Sequence, residues 1–233
     1  MIGRMDASQA ELRLILPEAN GHPQPVTKSS GYSSRLLDVP VALGLIVLLL
    51  PVMLLIAISI RITGSGPVIF AHRRVGKDGK VFKCFKYRTM RLGAEDSLNA
   101  LLARDADLRK EWELNQKLLS DPRVTRLGRL LRNTSLDELP QLFNVLWGSM
   151  ALVGPRPIVT AELSRYGRYA STYTSVRPGL TGLWQVTRNE STSYERRVAT
   201  DVLYVRKRTF LLDCRILLAT IPAVLIGNGT TSC

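Results

Sequence analysis

One uninterrupted apolar run constrains this chain more than any other feature. Residues 39–60, VPVALGLIVLLLPVMLLIAISI in one-letter code, carry no charge over 22 positions. At ~1.5 Å per residue, a straight helix of that length reaches the ~30 Å of a bilayer's hydrocarbon core. The run begins too far into the chain, and is too long, for the apolar region of a cleaved signal peptide, and no A-x-A exit follows it. A permanent membrane anchor is the expectation.

Two features argue against a simple span. Pro51 lies near the middle, where it removes a helix hydrogen bond and predicts a kink. Basic residues also stand on both flanks. Lys28 and Arg35 precede the run, and Arg61, Arg73, Arg74, Lys77, Lys80, Lys83, Lys86, Arg88 and Arg91 follow it, opposed only by Asp78. The positive-inside rule puts the downstream flank in the cytoplasm, and nothing acidic pushes the upstream flank outside. A re-entrant helix bent at Pro51 satisfies both flanks, and a kinked single span is the alternative. The residues alone leave the two open.

A formal charge of +13 over 233 residues calls for an anionic partner, whether nucleic acid, an acidic membrane face or a phosphorylated substrate. Cys84, Cys214 and Cys233 lie far apart, against a disulfide scaffold and a cysteine zinc site; His22 and His72 are too few for histidine-based metal hydrolysis.

Residues 1–34, rich in Gly, Pro, Ser and Asn, read as a flexible leader. Residues 68–90 hold two apolar runs around Lys77-Asp78-Gly79-Lys80, a type I′ hairpin signal. Arg73, Arg74, Lys83, Lys86 and Arg88 make this ribbon basic, as a solvated face or as a holder of lipid head groups or a phosphate. Residues 94–119 read as one surface helix, and Asp121-Pro122 as the start of the next. Arg123, Arg126, Arg129 and Arg132 then recur every third residue, a ridge that needs an anion nearby. Residues 210–226 are apolar but interrupted by Asp213, Arg215 and Pro222, which suits an interfacial helix.

The most informative stretch is TSLDELPQLFNVLW, residues 134–147. Ser135 and Glu138 have the S-x-x-E capping-box form, which predicts Asp137 and Glu138 in a helix's first turn. Such acids are ordinary at a helix start. Adjacent carboxylates can also hold a divalent cation, and one kept ionised can attack phosphorus; Mg²⁺ needs only one or two of them beside substrate phosphates.

The run RVTRLGRLLRNTSLDELPQLFNVLWGSMALVGPRP, preceded by RVGKDGKVFKCFKYRTM and followed by RPGLTGLWQV, resembles the bacterial sugar transferase family, the monotopic phosphoglycosyl transferases. The resemblance covers about residues 35–227, with several motifs in order. It implies a mixed α/β, mainly helical fold. A re-entrant helix over 35–61, broken at Pro51, is expected to join a compact cytoplasmic catalytic domain over 62–233, with interfacial helices and a small β-hairpin. The chain reads as the small, minimal form.

The family's Asp-Glu dyad falls on Asp137 and Glu138. Asp137 is thereby implied as nucleophile, Glu138 as its partner in Mg²⁺ binding and proton handling, and both as metal ligands. Lys86 and Arg88 match the K-(F/Y)-R-(S/T)-M motif, Arg132 the basic residue ahead of the dyad, and Arg156 the G-P-R-P turn; neutralising phosphates is their implied task. Between two prolines, Arg156 could equally pair with a backbone carbonyl. Arg177, Trp184 and Gln185 lie in the R-P-G-L-T-G-L-W-Q-V block, where a nucleotide-sugar contact competes with simple packing, and Asp201 matches a recurrent family acid. The chain departs from pattern at Thr187-Arg188-Asn189, where members show Gly-Arg.

The implied activity is transfer of a sugar 1-phosphate from a UDP-sugar to undecaprenyl phosphate, releasing UMP through an aspartyl intermediate. It would start exopolysaccharide or capsule-type synthesis at the cytoplasmic face of the bacterial inner membrane, among its phospholipids. The sugar and the oligomeric state, a homodimer included, stay open. A membrane-tethered nucleic-acid-binding or scaffolding protein is the alternative, disfavoured by 6% aromatic content and the lack of a nucleic-acid motif.

Overall fold

The computed structural model describes residues 35–115, 118, 120–187 and 193–225. The leader expected over 1–34 and the Arg188-Asn189 departure lie outside the described residues. The chain is mainly helical, with two small two-stranded sheets.

The apolar run forms helix α1, Arg35–Thr63. Among the described residues it is the one helix long and apolar enough to cross a membrane, with a mean hydropathy of 3.1 in its most apolar window. Only 22% of that window is buried, which separates it from the core helix of a soluble domain. Helical structure continues through Pro40 and Pro51, so any bend at Pro51 leaves the helix uninterrupted.

The buried positions of α1, Asp38, Ala42, Ile46, Met53, Ile56 and Ile60, form one stripe at helical spacing. The opposite face exposes Leu43, Val47, Leu48, Leu54, Leu55 and Ile62. Three tethers secure the stripe. Arg35 donates to the carbonyls of Val145 and Leu146 at 2.7 and 3.2 Å. The Tyr87 hydroxyl donates to the Met53 carbonyl at 2.8 Å. Just past the helix, the carbonyls of Ser65 and Gly64 accept from Arg88 at 2.7 and 3.2 Å. Both ends of α1 and its middle therefore touch the same unit.

Strands β1, Ile69–Val75, and β2, Val81–Tyr87, pair antiparallel, with His72 opposite Cys84 and Arg74 opposite Phe82. At the expected turn, Asp78 and Gly79 both have positive φ (56° and 74°), as type I′ requires, and the Lys80 N–H closes onto the Lys77 carbonyl at 3.1 Å.

Two sequence expectations need correction here. Residues 94–119 do not form one helix. They form α2, Ala94–Arg104, and α3, Ala106–Asn115, divided at the extended Asp105, whose carboxylate accepts from the N–H groups of Asp107 and Leu108 at 2.9 and 3.0 Å. An acid that reads as part of a helix face is an N-cap. The next helix, α4, starts at Arg126 rather than Asp121. Thr125 caps it by accepting from the Gly128 N–H at 2.9 Å. Asp121 instead grips Arg123 through two bonds of 2.8 and 2.6 Å. Buried and paired ahead of the helix, Arg123 leaves the ridge, which keeps Arg126, Arg129 and Arg132 within α4, Arg126–Asn133.

Beyond the dyad come α5, Gln141–Trp147, and β3, Ala151–Val153, which pairs parallel with β4, Gly179–Thr181. Short helices α6, Thr160–Leu163, and α7, Ala170–Thr174, lie between them. Helices α8, Leu183–Thr187, α9, Tyr194–Lys207, and α10, Phe210–Leu225, complete the described fold. Helix α10 buries Ile216 and exposes Phe210, Leu211, Leu218 and Ile221, the two-faced character expected of an interfacial helix. Its Asp213 accepts from the Tyr204 hydroxyl at 2.8 Å.

The core has two parts. One gathers Ala42, Ile46, Leu142, Val145, Leu152, Val202 and Ile216; the other gathers Met53, Ile56, Ile60, Tyr87 and Leu131. Leu139 and Phe143, on either side of Pro140, pack against both.

Candidate active site

The dyad sits in a 3-10 turn, Leu136–Glu138, between α4 and α5. The expected capping box does not form: Ser135 makes no side-chain cap bond and takes a left-handed conformation at φ 57°. For a residue with a Cβ this conformation costs about 1–2 kcal/mol, so packing on both sides must hold it. The cause of the separate turn is Pro140. With no N–H it cannot bond the Leu136 carbonyl, and the Leu139 N–H takes that acceptor at 3.3 Å.

The turn brings both carboxylates to the same ammonium, that of Lys86, but buries them unequally. Asp137 is 2% exposed, whereas Glu138, its side chain 14% exposed, lines a narrow cleft with Arg74, Cys84, Lys86, Gln141 and Arg156. The Lys86 ammonium lies 2.8 Å from Glu138 Oε1 and 3.8 Å from Asp137 Oδ2. Arg156 approaches the same Glu138 oxygen at 3.5 Å. Burial pushes the Asp137 carboxyl above its ordinary range; Lys86, Arg132 and Arg156 pull it back down while Glu138 adds to the rise.

Strand alternation sets the floor of this cleft, since Arg74, Cys84 and Lys86 fall on one face of the hairpin. Burial pushes the Cys84 thiol up to about 11, leaving it a neutral, inert wall. Asn144 of α5 fixes hairpin against dyad: its Oδ1 accepts from the Phe85 N–H at 3.0 Å and its Nδ2 donates to the Lys83 carbonyl at 2.8 Å. Lys86 is thus held in register with the turn it neutralises.

Among the described residues no three His, Cys, Asp or Glu side chains converge as a closed metal cage. Asp137 and Glu138 offer two adjacent hard-oxygen donors. That set fits Mg²⁺, which completes its shell with water and substrate phosphates.

An acidic pair answered by Lys86 and Arg156, in this order along the chain, leads to the comparison with known proteins. Residues 29–227 match the family described as Bacterial sugar transferase. The chain belongs to the bacterial sugar transferase family. A UDP-galactose-lipid carrier transferase of Erwinia amylovora is 45% identical over 201 residues, covering 86% of this chain and 42% of the relative. The exopolysaccharide production protein ExoY of Sinorhizobium fredii is 40% identical over 221 residues, covering 95% of this chain and 96% of the relative. A UDP-glucose:undecaprenyl-phosphate glucose-1-phosphate transferase of Escherichia coli is 34% identical over 220 residues, covering 88% of this chain and 44% of the relative. The chain therefore spans less than half the length of the two lipid-carrier transferases and nearly all of ExoY.

Of the family-motif residues, Lys86, Arg132 and Arg156 gather at the dyad. Arg132 donates through Nε to the Thr89 hydroxyl at 2.9 Å while its charge acts on Asp137. Arg156 keeps its side chain toward Glu138, and its backbone carbonyl accepts from the Tyr173 hydroxyl at 3.1 Å. The others lie elsewhere. Arg88 is turned to the backbone after α1. Arg177 sits beside Arg35, Asp38 and Arg208, where burial and its arginine neighbours lower its pKa. The Gln185 amide is buried with no hydrogen-bond partner among the described residues. Asp201 is buried behind the cleft, where its carboxylate accepts from the Tyr166 hydroxyl at 2.7 Å and burial pushes its pKa up to about 6.

Sequence reasoning passed over Gln141, Asn144 and Glu162. The first two had a readable signal, two amides three residues apart on an otherwise apolar helix. Glu162 had none, because its partners Arg74 and Arg197 come from distant parts of the chain.

Proposed function

We propose that this protein transfers a sugar 1-phosphate from a UDP-sugar to undecaprenyl phosphate and thereby starts synthesis of an exopolysaccharide or capsule-type glycan. The observation that carries the reading is the convergence of Lys86, Arg132 and Arg156 on two adjacent carboxylates held in a strained turn. Cations around paired acids suit substrates that are themselves diphosphates and phosphates.

In the proposed reaction an Asp137 carboxylate oxygen attacks the sugar-linked phosphorus of the UDP-sugar. The bond from that phosphorus to the bridging oxygen breaks, and UMP leaves. An oxygen of the lipid phosphate then attacks the acyl phosphate; the bond from phosphorus to Asp137 breaks, and the free carboxylate is restored. Glu138, facing the cleft, and Asp137 would hold Mg²⁺, which supplies neutralisation of phosphate charge when bound. Lys86 and Arg156 answer Glu138 in the free enzyme, and drawing them onto substrate phosphates opens the way to the buried Asp137.

We further propose that α1 is re-entrant, flexed at Pro51, with both ends at the cytoplasmic face of the inner membrane. Tethers at its two ends and its middle to one unit support this reading, as do the exposed apolar faces of α1 and α10, which would share one bilayer.

The test is incubation with Mg²⁺ and labelled UDP-sugars in the absence of lipid. The expected result is UMP no greater in amount than the enzyme, with label on the peptide containing Asp137, and neither from Asp137→Asn. UMP release that requires lipid would overturn the covalent route. A panel of UDP-glucose, UDP-galactose and N-acetylated UDP-sugars identifies the donor.

A further inference from the structure

We infer that Arg74 is a further phosphate-binding residue of the cleft and that Glu162 positions it; the inference rests on the sugar-phosphate transfer proposed above. Arg74 lies one residue before the end of β1, on the hairpin face that carries Cys84 and Lys86. Its side chain is 13% exposed and lines the cleft with Lys86, Glu138 and Arg156. Arg73, its neighbour on the opposite face, is exposed, as a merely solvating arginine should be.

The contacts described for Arg74 hold its side chain at the cleft wall. Its Nη1 is 3.6 Å from Glu162 Oε1 and 3.5 Å from the Pro157 carbonyl. Both exceed the ~2.7–2.9 Å of a tight charge-assisted bond, a length that Lys86 and Glu138 reach at 2.8 Å. Glu162 is itself fixed from several directions. Its Oε2 accepts from the Tyr194 hydroxyl at 3.3 Å and from Arg197 at 3.5 Å, and its Oε1 from the Val159 N–H at 3.4 Å. Glu162 is not among the side chains lining the cleft, so Arg74 answers an acid outside the cleft while presenting charge within it.

Lys86 and Arg156 both address Glu138 from the cleft wall that Arg74 shares, so a phosphate drawn to those two cations lies within reach of a third side chain of the same wall. The planar guanidinium of Arg74 can hold two phosphate oxygens at once.

The experiment is calorimetric titration of the full chain in detergent with UDP, UMP and uridine. In Arg74→Gln, UDP affinity should fall by about ten- to a hundredfold, the range for a lost charged hydrogen bond, with uridine affinity unchanged. Arg74→Lys, which keeps the charge and spares the fold, should show a smaller loss in the same direction. Glu162→Gln should lose part of the UDP affinity, and the double variant should bind no worse than Arg74→Gln alone. Wild-type UDP affinity in both Arg74 variants would overturn the assignment of Arg74, and additive losses in the double variant would overturn the positioning role of Glu162. A wild-type enzyme that does not prefer UDP to uridine would overturn the transfer reading and this inference together.

Discussion

Arg35 reaches from the first turn of α1 to the carbonyl of Val145 at 2.7 Å, and its second terminal nitrogen reaches that of Leu146 at 3.2 Å. These carbonyls belong to the last turn of α5, which ends at Gly148 in the left-handed conformation. The Val145 carbonyl also accepts from the Gly148 N–H at 3.0 Å, so the cation adds a second donor there, gives the Leu146 carbonyl one, and complements the negative end of the helix dipole. Because α5 begins three residues after Glu138, α1 and the dyad share one short rigid element.

Arg35→Gln should therefore cost about 1.5–3 kcal/mol of stability, the range for hydrogen bonds from a charged donor. Thermal unfolding in detergent measures this. Turnover should fall more than KM rises, because the dyad shifts while the cleft keeps its cations.

Topology is testable by labelling. Single cysteines at positions 30 and 65, in a background without the native three, should both resist an impermeant thiol reagent in intact cells. Labelling of position 30 alone would show a single span. Pro51→Ala restores a helix hydrogen bond and should send a fraction of molecules into that spanning form.

The cations should separate by role. Arg132→Lys and Arg156→Lys keep charge but lose the fork, and turnover should fall by roughly ten- to a hundredfold with the melting temperature little changed. Arg88→Lys should do the reverse: its bonds go to the backbone of Gly64 and Ser65, so melting should drop while KM for the UDP-sugar holds.

Asp201 gives a pH signature. Burial raises its pKa to about 6, from about 4 in an unfolded chain. Between those values the folded state keeps a proton that the unfolded state releases. Its contribution to stability is thus full below pH ~4 and is lost as pH rises to about 6. Asp201→Asn cannot titrate, so its stability relative to wild type should rise across that window in denaturant titrations. A relative stability that fell instead would mean that the Arg197 charge outweighs burial.

Parts of this molecule were readable in the sequence because their causes are local. The 22 uncharged positions dictate α1, and Asp78-Gly79 dictates the turn, since both must take positive φ. The capping-box reading of Ser135 and Glu138 failed for an equally local reason, the missing N–H of Pro140. Asn144 and Glu162 were hidden for a different one. Asn144 meets Lys83 across 61 positions and Glu162 meets Arg197 across 35, and no spacing rule reports a pairing that only the folded chain creates. Arg88 shows the converse: its motif neighbours a site residue, yet its side chain serves the backbone.

The stripe of α1 also bears on how the protein is made. Ala42, Ile46 and Met53 leave the ribosome long before Leu131, Leu142 and Leu152, the side chains that will cover them, have been synthesised. In the proposed membrane setting lipid shelters that stripe first, and the later segments displace it as they arrive. The bilayer then acts as a holding chaperone for the α1 side of each core, and a version released from α1 would expose both cores rather than yield a soluble enzyme.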